Sequence, residues 1–253
     1  MYYNTEDLSC FYQVFGDGEK NIIILPGWGE TRESFNYLID YFKSDYKIYI
    51  IDYPGFGNSP FPKKDLQIYD YATLIIDFLN DLEIHNPIII SHSFGGRLAI
   101  LLNGYYNVKF DKIIMMASAG IKPRRTLYSI CRTYLYKGLK KMQVLLPKRK
   151  RMAYLQRLLN RFASSDYNSL DPKMMPTFRN VVNTDLSSHL KQMKSEVLLL
   201  SGKLDCDTPL SDGLKMNNKI KNSAIIIFPD CSHYLYLQQP NLTHKIIEEF
   251  IKE

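Results

Sequence analysis

Isoleucine-rich runs of strand length alternate along this sequence with stretches of helix length. The runs are nearly continuous in apolar residues, which is typical of parallel strands that helices cover on both faces. The strand-length runs are 21–25, 47–52, 87–91, 112–117, 197–201 and 224–228. The helix-length stretches are 32–43, 69–82, 95–105, 210–219 and 241–252. Because short loops join them, the pattern predicts an α/β fold with a doubly wound, mostly parallel sheet.

The N-terminal region predicts how the sheet begins, and together with the cysteines it bears on the cellular compartment. The stretch LSCFYQVFGDGEKNIII alternates aromatic residues and contains a Gly-Asp-Gly turn, so antiparallel strands are expected there. The first ten residues have neither a basic nor an apolar region of the kind that a secretory signal needs. Cys10, Cys131, Cys206 and Cys231 are scattered without C-x-x-C spacing. We therefore expect a cytoplasmic protein.

Residues 121–190 interrupt the alternation and differ from the rest of the chain in charge. They contain 15 Lys and Arg against 3 Asp and no Glu, whereas the remaining residues carry 17 basic and 23 acidic side chains. Apolar residues within 127–146 follow helical spacing. The pattern predicts a core domain of 1–120 and 191–253, with 121–190 inserted after the strand ending near Ala117 as a basic, helical cap. Such a cap would sit above the carboxyl ends of the strands, where open α/β sheets bind ligands.

In the segment SHSFGG a predicted strand passes directly into a predicted helix, with Ser93 at the junction. A serine hydroxyl is a weak nucleophile, so a catalytic serine must be exposed, aimed and deprotonated during attack. A sharp strand-to-helix turn meets the first two needs, and Gly95 and Gly96 allow close packing behind it. The segment resembles the G-x-S-x-G nucleophile elbow of the α/β-hydrolase fold superfamily, with Ser91 in place of the first glycine.

This resemblance implies an acid and a histidine after the serine, in that order. Asp205 follows a late strand in the segment SGKLDCDTP, and its G-x-x-D spacing favours it over the alternative acid, Asp207. His233 follows the last strand-length run. By the family's mechanism, His233 would take the Ser93 proton and Asp205 would hold the imidazole in the correct tautomer.

The segment IIILPGWGE resembles the family's His-Gly-x oxyanion turn, with Pro26 in place of the histidine. The resemblance implies an oxyanion hole formed by the backbone N–H groups of Trp28 and Phe94. The Trp28 indole is expected to line an acyl pocket, to pack in the core, or both. His92, next to the serine, is expected to point away from the triad in a structural role.

Together these motifs resemble those of a capped, carboxylesterase-like serine hydrolase that acts on a small-molecule ester or acyl substrate through an acyl-enzyme. Hydrolysis of a carbon–carbon, thioester or amide bond is the alternative within the same fold. The non-enzymatic alternative is a ligand receptor that keeps the fold. The sequence contains no metal-binding cluster, phosphate loop or dinucleotide fingerprint, so we expect no cofactor and no metal.

The basic charge of residues 121–190 does not by itself identify what, if anything, this segment binds. No nucleic-acid-binding motif accompanies it, so nucleic acid is not expected. A solvated helix face is the first interpretation, and weak contact with an anionic substrate or membrane surface is the second. Cys206 and Cys231 flank the proposed acid and histidine in sequence, so a redox-sensitive contact between them is a further hypothesis.

Overall fold

The computed structural model of the 253-residue chain describes residues 1–122, 135, 138–145, 147, 149–154, 157 and 171–252. Its strands are β1 (Tyr2–Asn4), β2 (Ser9–Phe15), β3 (Lys20–Leu25), β4 (Tyr46–Asp52), β5 (Ile88–His92), β6 (Lys112–Met116), β7 (Glu196–Gly202) and β8 (Ser223–Phe228). Within the described residues these strands form one eight-stranded sheet, in the order β1-β2-β4-β3-β5-β6-β7-β8.

The sheet is antiparallel at its N-terminal edge and parallel elsewhere. β2 pairs antiparallel with both β1 and β4. From β4 onward each neighbouring pair is parallel, and β3 lies between β4 and β5. This topology confirms the predicted doubly wound, mostly parallel α/β fold with antiparallel strands at its start.

Helices cover both faces of the sheet. Those with described ends are α1 (Asn36–Phe42), α2 (Ile68–Asp81), α3 (Phe94–Ile100), α4 (Met175–Asn183), α5 (Leu210–Lys219), α6 (Leu235–Gln238) and α7 (Pro240–Lys252). Successive strand residues point to opposite faces. Ile23 and Ile89 therefore share one apolar core with residues of α2 and α3, and Ile22 and Ile90 share the other with residues of α1 and α7. The continuous isoleucine runs are explained by this burial on both sides.

Two of the predicted helices are composite. The stretch predicted over 32–43 begins with a 3₁₀ turn, Arg32–Phe35, before α1. The stretch predicted over 95–105 is α3 followed by a π-helical turn, Leu101–Tyr105.

The chain divides into two compact units. The larger consists of Met1–Lys122 with Pro176–Glu253, and the smaller is Pro123–Met175. Residues 176–190, which the charge pattern assigned to the insertion, thus group with the sheet. The predicted cap helix over 127–146 falls largely outside the described residues. None of the helices in the described part of the chain combines the length and apolarity that a membrane crossing requires.

Residues 176–190 are joined to the sheet unit by specific hydrogen bonds. The Leu66 N–H donates to Thr177 Oγ1 at 3.0 Å, and Asn180 Nδ2 donates to the Leu66 carbonyl at 3.2 Å. Further along, the Leu186 N–H donates to the Gly120 carbonyl at 3.0 Å. These contacts hold α4 from Pro176 onward, and the loop after it, on the larger unit.

Candidate active site

Ser93 lies at the junction of β5 and α3, where the backbone is strained. Its φ of 46° and ψ of −107° fall in a region that non-glycine residues rarely adopt. The Ser93 N–H donates to the Met116 carbonyl at 3.1 Å, and the Ser93 carbonyl accepts from the Ala119 N–H at 3.0 Å. Hydrogen bonds to the end of β6 and the loop after it therefore hold the turn in its strained form.

The two glycines after the serine allow α3 to approach the sheet closely. A Cβ added at Gly95 would lie 2.0 Å from the Leu25 carbonyl oxygen. One added at Gly96 would lie 1.9 Å from Ser118 Oγ. Larger residues at either position would push α3 away from the sheet and shift the turn at Ser93.

Ser91 replaces the first glycine of the G-x-S-x-G pattern without disrupting the turn. Its side chain is fully buried, and its hydroxyl donates to the Ile114 carbonyl at 3.0 Å on the neighbouring strand. Since a buried hydroxyl with a partner costs little, the substitution is accommodated.

Asp205 and His233 are brought together by the loops after β7 and β8. Asp205 Oδ2 lies 2.8 Å from His233 Nδ1, and both side chains are buried. A carboxylate only accepts hydrogen bonds, so Nδ1 carries the proton and the ring lone pair lies on Nε2. The ring is thus in the tautomer that a general base of this kind requires.

The Asp205 carboxylate is itself held by the loop that carries it. Oδ1 accepts the N–H groups of Asp207 at 2.8 Å and Thr208 at 2.9 Å, and the Thr208 hydroxyl donates to Oδ2 at 2.7 Å. Burial alone would raise the pKa of Asp205. Hydrogen bonds from His233 and Thr208, with the electrostatic attraction of the His233 ring, outweigh burial and hold this pKa below its ordinary value. The carboxyl is therefore ionised at neutral pH.

Asp207, the alternative acid, lies near the same imidazole. One ligand atom each from Asp205, Asp207 and His233 lie within 4.8 Å of one another, a spacing that a metal ion could bridge. Both Asp205 oxygens already accept hydrogen bonds, however, and a cation would compete with those donors. The geometry favours a carboxylate–imidazole pair over a metal centre.

The turn after β3 places Trp28 against the first residue of α3. The Trp28 ring lies 5.2 Å from that of Phe94, 4.8 Å from Phe56 and 5.2 Å from Phe178, between centroids. The two segments that carry the predicted oxyanion donors are therefore adjacent. Trp28 packs in this aromatic cluster, and its Nε1 is buried without a hydrogen-bond partner in the described part of the chain. Its role in lining an acyl pocket stays a prediction.

His92 lies closer to His233 than the sequence suggested, and it belongs to a network that the sequence analysis missed. The two imidazole centroids are 4.8 Å apart. His92 Nδ1 lies 2.9 Å from Glu30 Oε2, and Tyr236 donates to Glu30 Oε1 at 3.1 Å. The available signal was a polar ring inside the apolar run IIISHSF, because a buried imidazole needs partners.

Cys206 and Cys231 lie in the same two loops as Asp205 and His233. The Cys206 side chain is exposed and the Cys231 side chain is buried, and both are free thiols. The structure therefore gives no support to a bond between them.

Comparisons with known proteins place this arrangement in a family. The family model described as the alpha/beta hydrolase fold matches residues 20–240. The chain belongs to this family. The crystal structure of the enol-lactonase from Burkholderia xenovorans LB400 agrees, with a TM-score of 0.77 over 100% of both chains. At 15% sequence identity that likeness concerns the alpha/beta hydrolase fold alone.

Several curated relatives align with nearly the whole of this alpha/beta hydrolase. A pimeloyl-[acyl-carrier protein] methyl ester esterase from Wigglesworthia glossinidia brevipalpis is 24% identical, over 96% of this chain and 98% of the relative. A 2-hydroxy-6-oxononadienedioate/2-hydroxy-6-oxononatrienedioate hydrolase from Pseudomonas putida is 21% identical, over 97% and 92%. The relatives thus include an esterase and another hydrolase, and they support hydrolase activity for this chain.

Proposed function

We propose that this alpha/beta hydrolase is a serine hydrolase that cleaves carboxylic esters of small acyl or aryl groups through an acyl-enzyme. The observation that carries the proposal is the 2.8 Å hydrogen bond between Asp205 and His233, taken together with the strained turn at Ser93. The residue before Ser93, His92, lies near His233, with the two ring centroids 4.8 Å apart. Similarity to a methyl ester esterase supports an ester as the substrate.

In the first half of the proposed reaction, Ser93 is acylated. Nε2 of His233 takes the hydroxyl proton as Ser93 Oγ bonds to the ester carbonyl carbon. The backbone N–H groups of Trp28 and Phe94 stabilise the negative oxygen that develops. The tetrahedral intermediate then collapses, and the alcohol leaves with the proton that His233 returns to it.

In the second half, water hydrolyses the acyl-enzyme. His233 takes a proton from water as the water oxygen attacks the acyl carbon, and it returns that proton to Ser93 Oγ as the carboxylic acid leaves. Asp205 stabilises the imidazolium in both halves and stays ionised, as its lowered pKa favours. No step requires a cofactor, a metal ion or a nucleic acid.

The same proposal covers substrate access. Residues 121–190 would form a helical, basic cap domain, of which the part from 176 groups with the sheet unit. Their excess of basic side chains would draw an anionic ester towards the site, or the whole protein towards an acidic membrane surface. A cytoplasmic location remains a prediction from the sequence.

A p-nitrophenyl ester series from acetate to laurate tests the activity. The wild-type protein should turn over at least the shorter esters, and Ser93→Ala should lower kcat by a factor on the order of 10⁶. Alanine keeps the Cβ at the strained turn, so circular dichroism and melting temperature should stay near the wild-type values. Equal rates for the two proteins would remove the proposal.

A fluorophosphonate probe supplies the matched labelling test. The wild-type protein should be labelled once, at Ser93, and the Ser93→Ala protein should not be labelled. Ser195→Ala is the control, because Ser195 lies before the start of β7, and its hydroxyl donates to the Phe110 carbonyl at 2.9 Å. Labelling without turnover would indicate a ligand receptor that keeps the site.

Hydrolysis of a carbon–carbon bond is the second candidate. Similarity to the Pseudomonas putida hydrolase named above favours it, and it would use the same serine and histidine. A dienoate substrate of that chemical class, assayed beside the ester series, separates the two. A kcat/KM at least about tenfold higher for the dienoate than for the best ester would reverse the order of the candidates.

A further inference from the structure

Glu30, His92 and Tyr236 form a buried hydrogen-bonded network next to His233. Glu30 is 9% exposed and His92 is 1% exposed. Glu30 Oε2 lies 2.9 Å from His92 Nδ1 and also accepts the Gly27 N–H at 2.6 Å. Ionisable side chains are seldom buried this deeply unless they are paired. The mechanism proposed above does not use this pair.

An oxygen atom lies within hydrogen-bond distance of each ring nitrogen of His92. Its Nε2 lies 3.0 Å from the His233 carbonyl oxygen, which can only accept, so Nε2 carries a proton. Glu30 already accepts from the Gly27 N–H and the Tyr236 hydroxyl, and such donors favour the ionised carboxylate. An ionised Glu30 requires a proton on Nδ1 as well. The geometry is that of an ion pair between a doubly protonated His92 ring and the Glu30 carboxylate.

The electrostatics of Glu30 agree with this assignment. Burial alone would raise the pKa of Glu30. The charge of His92, with hydrogen bonds from His92, Gly27 and Tyr236, outweighs burial and holds this pKa below its ordinary value. Among the described residues, His92 contacts the Glu30 carboxylate and three rings. These rings are those of His233, Tyr234 and Tyr236, whose centroids lie 4.8, 5.5 and 5.0 Å from that of His92.

The pair joins three segments of the proposed active site. Glu30 holds the N–H of Gly27, the residue before the proposed oxyanion donor Trp28. His92 directly precedes Ser93, and its Nε2 holds the backbone carbonyl of His233. Gly27 leaves room for the pair, since a Cβ there would lie 2.6 Å from Glu30 Oε2 and 2.9 Å from His92 Nδ1.

We propose that Glu30 and His92 are positioning residues, an internal ion pair that fixes the oxyanion turn and the backbone of the His233 loop relative to Ser93. The proposal rests on the serine hydrolase function proposed above. The pair does not touch the reacting atoms. It acts through Gly27 on the Trp28 N–H and through the His233 carbonyl on the general base, so its loss lowers catalysis more than it lowers substrate binding.

Glu30→Gln tests the kinetic part, because glutamine keeps the shape of the side chain and removes its charge. The substrate is p-nitrophenyl acetate, and kcat is calculated per active site that fluorophosphonate labels. This kcat should fall about 10- to 100-fold, the loss typical of residues that orient catalytic groups. KM should stay within about threefold of the wild-type value. A folded Glu30→Gln protein with wild-type kcat overturns the proposal.

Two further variants control for stability. His244→Phe replaces another buried histidine, which lies on α7 with its ring 4.7 Å from Tyr41, and it should leave kcat unchanged. Tyr236→Phe removes one donor to Glu30 and keeps the ring stacked on Phe35 at 5.2 Å, and it should lower kcat about threefold. If Glu30→Gln does not fold, the Tyr236→Phe result decides, and an unchanged kcat counts against the proposal.

Nitrogen-15 NMR of the histidine rings tests the charge independently of turnover. At pH 7 one ring should carry protons on both nitrogens, and that signal should disappear in His92→Gln. In Tyr236→Phe and Glu30→Gln the backbone amide signals of Trp28 and Ser93 should shift. If the wild-type protein hydrolyses no ester, the proposed function is wrong. These spectra still test the ion pair in that case, because they do not depend on turnover. A singly protonated His92 overturns the inference.

Discussion

Two aspartates in the loop after β7 differ in what their carboxylates contact. Asp205 receives His233 Nδ1 at 2.8 Å and the Thr208 hydroxyl at 2.7 Å. Asp207 is exposed, and its backbone N–H, rather than its side chain, holds Asp205 at 2.8 Å. The two residues therefore form a matched pair of positions for deciding which acid serves the histidine.

Asp205→Asn should lower kcat for p-nitrophenyl acetate by roughly 10³- to 10⁴-fold, because an amide no longer favours the proton on Nδ1 and no longer stabilises an imidazolium. Asp207→Asn should change kcat by less than about threefold, since it keeps the backbone donor and removes only an exposed charge. Steady-state kinetics of both variants at pH 7 check this. The reverse order of effects would assign the acid to Asp207.

At the residue scale, the residues proposed as catalytic carry a signal in the sequence, and the residues packed next to them do not. Ser93, Asp205 and His233 occupy positions whose chain order and spacing are shared by a large family. Glu30 carries no such signal, because its partner, His92, lies 62 residues further along the chain. Their contact depends on how the turn after β3 meets the end of β5 in the folded sheet.

At the scale of elements, the buried arginine Arg97 connects α3 with the C-terminal end of α4. Arg97 Nη1 donates to the Thr184 carbonyl at 2.8 Å, and Nη2 donates to the Val182 carbonyl at 3.5 Å. Burial lowers the pKa of Arg97 to about 10, so it remains charged at neutral pH. Cationic side chains at a helix C-terminus satisfy carbonyl groups that would otherwise lack donors.

Arg97→Met should destabilise the protein by about 2 kcal/mol, because two carbonyl groups lose a charged donor while the apolar stem is kept. For a chain of this size that corresponds to a fall of roughly 4–8 °C in melting temperature. The melting temperature of Arg97→Lys should lie between those of Arg97→Met and the wild-type protein, since an ammonium keeps the charge but not the planar geometry of the guanidinium. Differential scanning calorimetry measures all three. An unchanged melting temperature in Arg97→Met would falsify this account.

The strands were predictable from the sequence because burial on both faces requires an unbroken apolar run. The detailed form of the helices was not. Nothing in the sequence 95–105 distinguishes the α-helical hydrogen bonds of Phe94–Ile100 from the wider turn of Leu101–Tyr105. That choice is set by packing, as at Gly104, where an added Cβ would lie 2.4 Å from the His189 carbonyl oxygen.

At the scale of the whole molecule, the division into units was only partly predictable. The basic excess of 121–190 marks a region that differs in composition from the rest of the chain, but charge carries no information about which helix packs where. α4 contains Arg179 and still lies on the larger unit, because Thr177 and Asn180 bond to the chain at Leu66. Contacts between distant segments, rather than local composition, set that boundary.

Stability at alkaline pH is also a property of the whole fold, since it depends on groups that the core keeps neutral. Cys10 is fully buried, and burial, with the nearby charge of Asp52, raises the pKa of its thiol to about 12. In the unfolded chain the same thiol ionises near its ordinary value of 9.0. Burial likewise raises the pKa values of Tyr53 and Tyr71. Each such group contributes stability below its unfolded pKa that is lost as the pH rises towards its folded pKa.

Cys10→Ala should therefore flatten the alkaline decline of the free energy of unfolding between about pH 9 and 12. One proton released only on unfolding contributes a slope of up to about 1.4 kcal/mol per pH unit, and the variant lacks that proton. Urea unfolding at intervals from pH 7 to 11 gives the slope, which is independent of the constant loss from the small cavity that the shorter side chain leaves. Cys206→Ala, at an exposed cysteine, is the control and should run parallel to the wild-type protein. Parallel curves for all three proteins would show that Cys10 does not stay protonated in the core.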